Sequence, residues 1–157
     1  MEHTEFESHQ NARAMGVRMP LWYLASTSIS VPVKGIEDIV KARQAGLKLV
    51  QDLGFSESRL ALVITAISEL ARNMVLYADC GEIALSKVVY RSRDAIMVIA
   101  EDRGPGIADL ETAISGGYST SGGWGLGLSG LSHIADEFEI KSYPGVGTEV
   151  IVIITSA

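Results

Sequence analysis

Residues 116–128, "GGYSTSGGWGLGL", hold six glycines in thirteen positions. Glycine loses more backbone freedom on folding than any other residue, so a run this dense is kept out of helices and strands. The fold has to be built from the segments on either side, and the run itself must be a loop. Its end carries Trp124, Leu126 and Leu128, side chains for which a slack solvent linker has little use. A loop of free amides that finishes in apolar anchors is suited to a close approach of backbone to something else.

The flanking segments read as alternating periods. "TSISVPV" (27–33) alternates like a strand, with Pro32 suited to a sheet edge. Ile36, Ile39, Val40, Leu47 and Val50 recur at helical spacing over 37–53, and Gly54 ends that run. A second, longer helix is predicted over 59–78, capped by Ser56 or Ser58. "EIALSKVVY" (82–90) and "AIMVIAED" (95–102) are β-rich and joined by "RSRD", which predicts a hairpin. A third helix is predicted over 126–137, and "FEIKSY" and "TEVIVII", turned by "PGVG", make a last strand pair. There are no internal repeats. The order β-α-α-β-β-loop-α-β-β predicts an α+β fold, a two-layer sandwich with helices on one face of a mostly antiparallel mixed sheet. That domain covers 28–157, and residues 1–27 read as an N-terminal extension whose Leu21, Trp22 and Leu24 could dock elsewhere.

Composition narrows the function classes. A chain of 157 residues, 47% apolar and 20% charged, fits one globular domain. The net charge of −6, without a basic run, argues against nucleic acid as a partner. No apolar run is expected to span a bilayer, and the five-residue run within "RMPLWYLAST" (18–27) is too short for a secretion signal. A single cysteine, Cys80, forms no internal disulfide and fits a cytoplasmic location. None of His3, His9 and His133 is tied to it by spacing, so Cys80 reads as structural rather than nucleophilic.

Three short stretches carry candidate chemistry. In "SELARNMVLYA" the residues Leu60, Val63, Ile67, Leu70, Met74 and Tyr77 share one stripe at roughly 100° per residue, the core face. Glu69 and Asn73, four apart, stack at the edge of that stripe, and Arg72 is expected to point away. The pair is either a surface hydrogen-bonded couple or a carboxylate and an amide held for chemistry. In "AEDRGPGIADL" a strand ends at Asp102 and Gly104–Pro105–Gly106 turns the chain. Asp102 either caps its own turn or, as an acceptor-only group, receives an exocyclic amine while the glycines admit a flat ring. "GLGLSG" (125–130) matches G-x-G-x-x-G only formally, since no strand precedes it directly and no βαβ unit surrounds it. Amides at a helix N-terminus next to glycines nevertheless suit a phosphate.

Glu-x-x-x-Asn on a helix, Asp-x-Gly-x-Gly after a strand, a glycine-rich loop entering a helix and the closing "GVGTEV" (145–150) stand here in that order. The set resembles the GHKL ATPase and kinase superfamily, whose nucleotide sits on a Bergerat fold. Within it, "AISELARNMVLYA", "AEDRGPGI", "GGYSTSGGWGLGLSG" and "ADEFEI" are similar to the RsbT-type serine/threonine switch kinases of bacterial stressosomes. The resemblance implies ATP and Mg²⁺ as cofactors and a STAS-domain protein as phosphorylated partner. It also implies that the released kinase activates a downstream metal-dependent serine/threonine phosphatase. It implies roles as well: Glu69 as catalytic base, Asn73 as ligand to Mg²⁺, and Asp102 as acceptor of the adenine amine. Gly104, Gly106, Ile107 and Thr148 would surround the adenine. Gly123, Gly125, Leu126, Gly127 and Leu128 would form and anchor the phosphate-cradling lid. Residues 108–124 hold no lysine or arginine, so phosphate charge would fall to amides, Mg²⁺ and Arg72 or Arg103. The alternative reading is an anti-sigma factor or nucleotide-gated adaptor that acts by binding. It has no need of Glu69.

Overall fold

The computed structural model describes residues 28–115 and 127–157. Strand β1 (Ser28–Val33) leads into helix α1 (Ile36–Val50). The carboxylate of Asp38 turns back at the start of α1 to accept the Lys34 and Gly35 N–H groups at 2.9 and 3.1 Å. These two bonds hold the Asp38 pKa below the ordinary carboxylate value. Gly54, at φ +70°, closes the connection to helix α2 (Glu57–Tyr77), where Ser56 Oγ accepts the Arg59 N–H at 3.3 Å. Asp79, at φ 62°, turns the chain out of α2 into strand β2 (Gly81–Tyr90).

Strands β2 and β3 (Arg93–Asp102) form the expected hairpin on a two-residue turn. Its residues, Arg91 and Ser92, both have positive φ (50° and 65°) without being glycine, the conformation that matches the twist of paired strands. A six-residue helix α3 (Leu110–Ser115), not anticipated from the pattern, starts where Asp109 Oδ1 accepts the Thr112 N–H at 3.0 Å. Helix α4 (Gly127–Ile134) is shorter than the 126–137 expected. It stops because strand β4 (Glu137–Tyr143) already claims Glu137, and Asp136 is drawn off to accept the Thr155 N–H at 2.8 Å. Strand β5 (Gly147–Thr155) ends the chain's regular structure.

The sheet runs β1-β2-β3-β5-β4, and all four pairings are antiparallel. Helices pack on one face, as expected of a two-layer α+β sandwich. Ile83, Leu85, Ile96, Val98, Ala100, Val150, Val152 and Ile154 meet Val63, Ala66, Ile67, Leu70, Ala71 and Met74 of α2 there, with Leu131 of α4 also buried. The predicted stripe on α2 holds from Leu60 to Met74 and fails at its last member. Tyr77 is 51% exposed because the helix has by then run past the sheet. An 18-residue window of the 21-residue α2 has a mean hydropathy of 1.4, so by length and composition alone this helix is apolar enough to cross a membrane, yet 44% of that window is buried inside the fold. Its apolarity has a local reason: it is the helix that covers the sheet. Where α1 crosses α2, a Cβ on Gly46 would lie 2.3 Å from Ile67 Cδ1, so the contact is made backbone to side chain.

Candidate functional site

The last turns of α2 set the first edge of the site. Glu69 is 6% exposed, Asn73 is half-buried one turn further on, and both sit beside the core stripe, as the spacing predicts. Among the described residues the Asn73 amide has no hydrogen-bond partner, so its oxygen is available to a ligand. Arg72 does not point away. Its guanidinium turns back along the helix and donates to Glu69 Oε1 at 2.8 Å. An arginine stem is long enough to reverse direction from a Cβ that faces solvent, which helical phase alone does not reveal.

The second edge is the end of β3. Asp102 pairs in register with Gly81 on one side and Thr148 on the other. Its Oδ1 accepts the Gly104 N–H at 2.9 Å, so the turn-capping role is real. Burial pushes the Asp102 pKa up, with the Gly104 and Thr148 N–H groups working the other way. The glycines around it are required by packing within the protein itself. A Cβ on Gly104 would lie 2.7 Å from Ala78 Cβ, just past the end of α2. One on Gly106, at φ +73°, would lie 2.4 Å from the Tyr143 carbonyl oxygen. One on Gly147 would lie 2.1 Å from the Asp102 carbonyl oxygen. The Asp102 turn is thereby wedged between the end of α2 and the β4–β5 hairpin, and Gly145 N–H donates to Pro105 O at 2.7 Å to clip turn and hairpin together.

Ser142, which the sequence reading did not single out, ties this edge together. Its hydroxyl accepts the Ile107 N–H at 2.7 Å and lies 2.7 Å from Thr148 Oγ1. Ser142 and Thr148 are register partners across the "YPGVG" hairpin. Counting back from that turn would have placed the two hydroxyls side by side. Asp102, Gly104, Gly106, Ile107 and Thr148 are therefore brought together, and the contact of Gly104 with Ala78 sets them beside the helix that carries Glu69 and Asn73.

The third edge is α4. Leu128 packs on the main core, and Gly127, at φ +62°, starts the helix with open space where a Cβ would stand. Gly123, Gly125 and Leu126, with the rest of the expected lid, lie outside the described residues. The donor set suits ATP with Mg²⁺. Among the described residues no three metal-ligating side chains cluster, so a cation here would rest on one amide oxygen, phosphates and water, the way Mg²⁺ is usually held beside a nucleotide.

Comparison with known proteins shows the family to which this fold belongs. The profile of the histidine kinase-, DNA gyrase B-, and HSP90-like ATPase family matches residues 59–156. The serine/threonine-protein kinase RsbT of Bacillus subtilis is 48% identical over 113 residues, 72% of this chain and 85% of that one. The anti-sigma F factor of Pasteuria penetrans is 32% identical over 118 residues, 71% of this chain and 79% of that one. In the crystal structure of the RsbU and RsbW domains of a Mycobacterium tuberculosis protein, a fold of TM-score 0.56 at 18% identity covers 83% of this chain. This chain spans 32% of that larger one, and at that identity the likeness speaks for the fold alone.

Proposed function

The chain belongs to the histidine kinase-, DNA gyrase B-, and HSP90-like ATPase family; from that premise we propose that it is a partner-switch kinase that phosphorylates a STAS-domain protein and, once released, activates a metal-dependent phosphatase. It is a serine/threonine protein kinase of the GHKL type. We place it in the cytoplasm, in a stressosome-type stress response. The observation that carries the reading is the placement of Glu69 and Asn73 one turn apart at the α2 rim, beside the Asp102 turn.

The residues divide the work as follows. Asp102 receives the adenine amine on a carboxylate oxygen, with Gly104, Gly106, Ile107 and Thr148 around the ring. The N–H groups at the start of α4, with Gly127 and the preceding Gly123, Gly125 and Leu126, meet the phosphates. Asn73 holds Mg²⁺, which when bound neutralises phosphate charge. The substrate serine or threonine hydroxyl approaches Glu69, which accepts its proton as the hydroxyl oxygen bonds to the γ-phosphorus and the bond to ADP breaks. Arg72 engages Oε1 of Glu69, which leaves Oε2 for the proton, and a turn of the Arg72 side chain brings its charge toward the phosphates. A guanidinium suits that role.

The anti-sigma F likeness favours a second reading, in which nucleotide gates partner binding and transfer is incidental. The full chain with γ-labelled ATP, Mg²⁺ and a set of STAS-domain proteins separates the two. Label on a serine or threonine of one STAS protein is expected, with Glu69→Gln binding ATP normally but transferring roughly 10²–10⁴-fold more slowly. Tight ATP-dependent binding to a partner without any transfer would leave the adaptor reading in its place.

A further inference from the structure

The helices cover one face of the sheet, yet the other face is buried too. Met97 and Ile153 are 2% and 1% exposed, and Ile99, Ile151, Val88 and Ala95 beside them are buried as well. The register puts all six on the side away from α1 and α2. Among the described residues, the partly buried apolar side chain packed against this cluster is Ala84, on the same sheet face. Glu149, on the same side, is 3% exposed, and its Oε2 has no hydrogen-bond partner. Side chains on an open sheet face keep contact with water, so this face has a cover that no described helix or strand supplies.

The register also shows where the chain enters. Ser28, the first residue of β1, pairs with Ser86; Ser86 pairs with Met97, and Met97 with Ile153. The four lie in one row across the sheet. At about 4.8 Å per strand, Met97 is roughly 10 Å and Ile153 roughly 14 Å from the entry point. Between them the outer face carries small side chains, Ser30, Ala84 and Ser86, over which a segment can pass. Twenty-seven residues precede Ser28, and their longest apolar run, Leu21 to Ala25, ends three residues before it. Four extended residues span roughly 13–14 Å, so Leu24 reaches Met97 and Ile153 from Ser28, and Leu21 and Trp22 reach past them.

We propose that residues 21–24 lie across the outer face of the sheet and cap the Met97–Ile153 row, making the N-terminal extension a built-in partner of the face opposite the helices. A cap of this kind removes a flat apolar surface on which a second copy or another protein would otherwise associate.

Disulfide trapping in the full chain tests it. Cys80 is exposed and the only cysteine, so Cys80→Ser gives a clean background. Leu24→Cys is then combined with Met97→Cys, with Ile153→Cys, or with Val146→Cys. Val146 is exposed on the β4–β5 turn, about 23 Å along the strand from Ile153, outside the reach of Leu24. An intrachain disulfide with Met97→Cys or Ile153→Cys, and none with Val146→Cys, is expected under mild oxidation. Links that form only between chains would assign the face to a second copy and overturn the proposal, as would the absence of any link. Trp22 gives a reading that leaves the sheet untouched. In Trp124→Phe its emission is expected to be several-fold less quenched by acrylamide than free tryptophan, and equal quenching would also overturn the proposal.

Discussion

On the proposed function, Glu69 and Asp102 each already accept a hydrogen bond within the protein, Glu69 from Arg72 and Asp102 from the Gly104 N–H. The Arg72–Glu69 pair is half open to solvent on the arginine side but only 8% exposed on the carboxylate side, so removing Arg72 leaves a nearly buried charge without its partner. Arg72→Ala is therefore expected to lower Tm, and Glu69→Gln in the same chain to restore it; a Tm that stays low in the double variant would trace the loss to the arginine stem rather than to the unpaired charge. Asp102→Asn keeps an oxygen for the Gly104 N–H, so the turn survives. It loses the charge assistance to the adenine amine, about 1.5–3 kcal/mol, or roughly 10- to 150-fold in ATP affinity by calorimetry. Burial raises the Asp102 pKa, so in the parent protein ATP binding should begin to weaken on acidification at a higher pH than an ordinary aspartate would allow. The Asn variant should lack that acid limb. A shared limb would move the titration to another group.

At the scale of elements, hydrophobic period placed β1, α1, α2, the β2–β3 hairpin and the last strand pair close to their true ends. It did so because each buries one face against a single core. Two kinds of feature stayed out of reach. The α4 terminus depends on Asp136 finding Thr155, nineteen residues away, and α3 is too short to show a period. The candidate site shows the same division. Glu69, Asn73 and Asp102 stand out by helix spacing and strand-end position and Thr148 only by family resemblance, whereas Ser142 and the return of Arg72 depend on cross-strand register and side-chain reach. Gly46 illustrates the limit further: nothing local distinguishes it from an ordinary helical glycine, whose change to alanine favours the helix by up to about 1 kcal/mol. In the fold its missing Cβ makes room for Ile67. Gly46→Ala is expected to destabilise the protein by about 1–3 kcal/mol through overpacking, measured by urea unfolding. A stabilised variant would mean α1 can lift off α2 at no cost.

For the whole molecule, charge on the outer sheet face sets the pH response. Burial raises the pKa of Glu101, with Glu82 and Asp102 adding to it, and burial with the Glu101 charge raises that of Glu149. A carboxyl raised on folding contributes its stability below its unfolded pKa and loses it as pH rises through the folded one. Both groups therefore weaken the protein at neutral pH relative to mild acid. Asp136 runs the opposite way. Burial opposes its ionisation, but the Thr155 N–H and hydroxyl and the Arg59 guanidinium prevail and lower its pKa, so its contribution fades as pH falls through that lowered value. Glu149→Gln is expected to raise stability at pH 7 by about 1 kcal/mol, some 2–4 °C in Tm, and by less in mild acid. An equal gain at both pH values would trace the effect to packing rather than charge.

The strand order carries a further consequence, one that concerns time. β5 lies between β3 and β4, and it meets β3 across about fifty residues of intervening chain. On a ribosome, β1 to β3 and the two long helices emerge and can pair while β5 and β4, one side of the sheet, are still missing. Thr148 cannot meet Asp102, nor Ser142 meet Thr148, until β5 has emerged. Pairings of such long range also close slowly once available. A nascent or truncated chain can thus present the α2 rim and its Glu69 without the adenine edge. ATP, which on the proposed function needs both, selects for chains in which β5 has paired with β3.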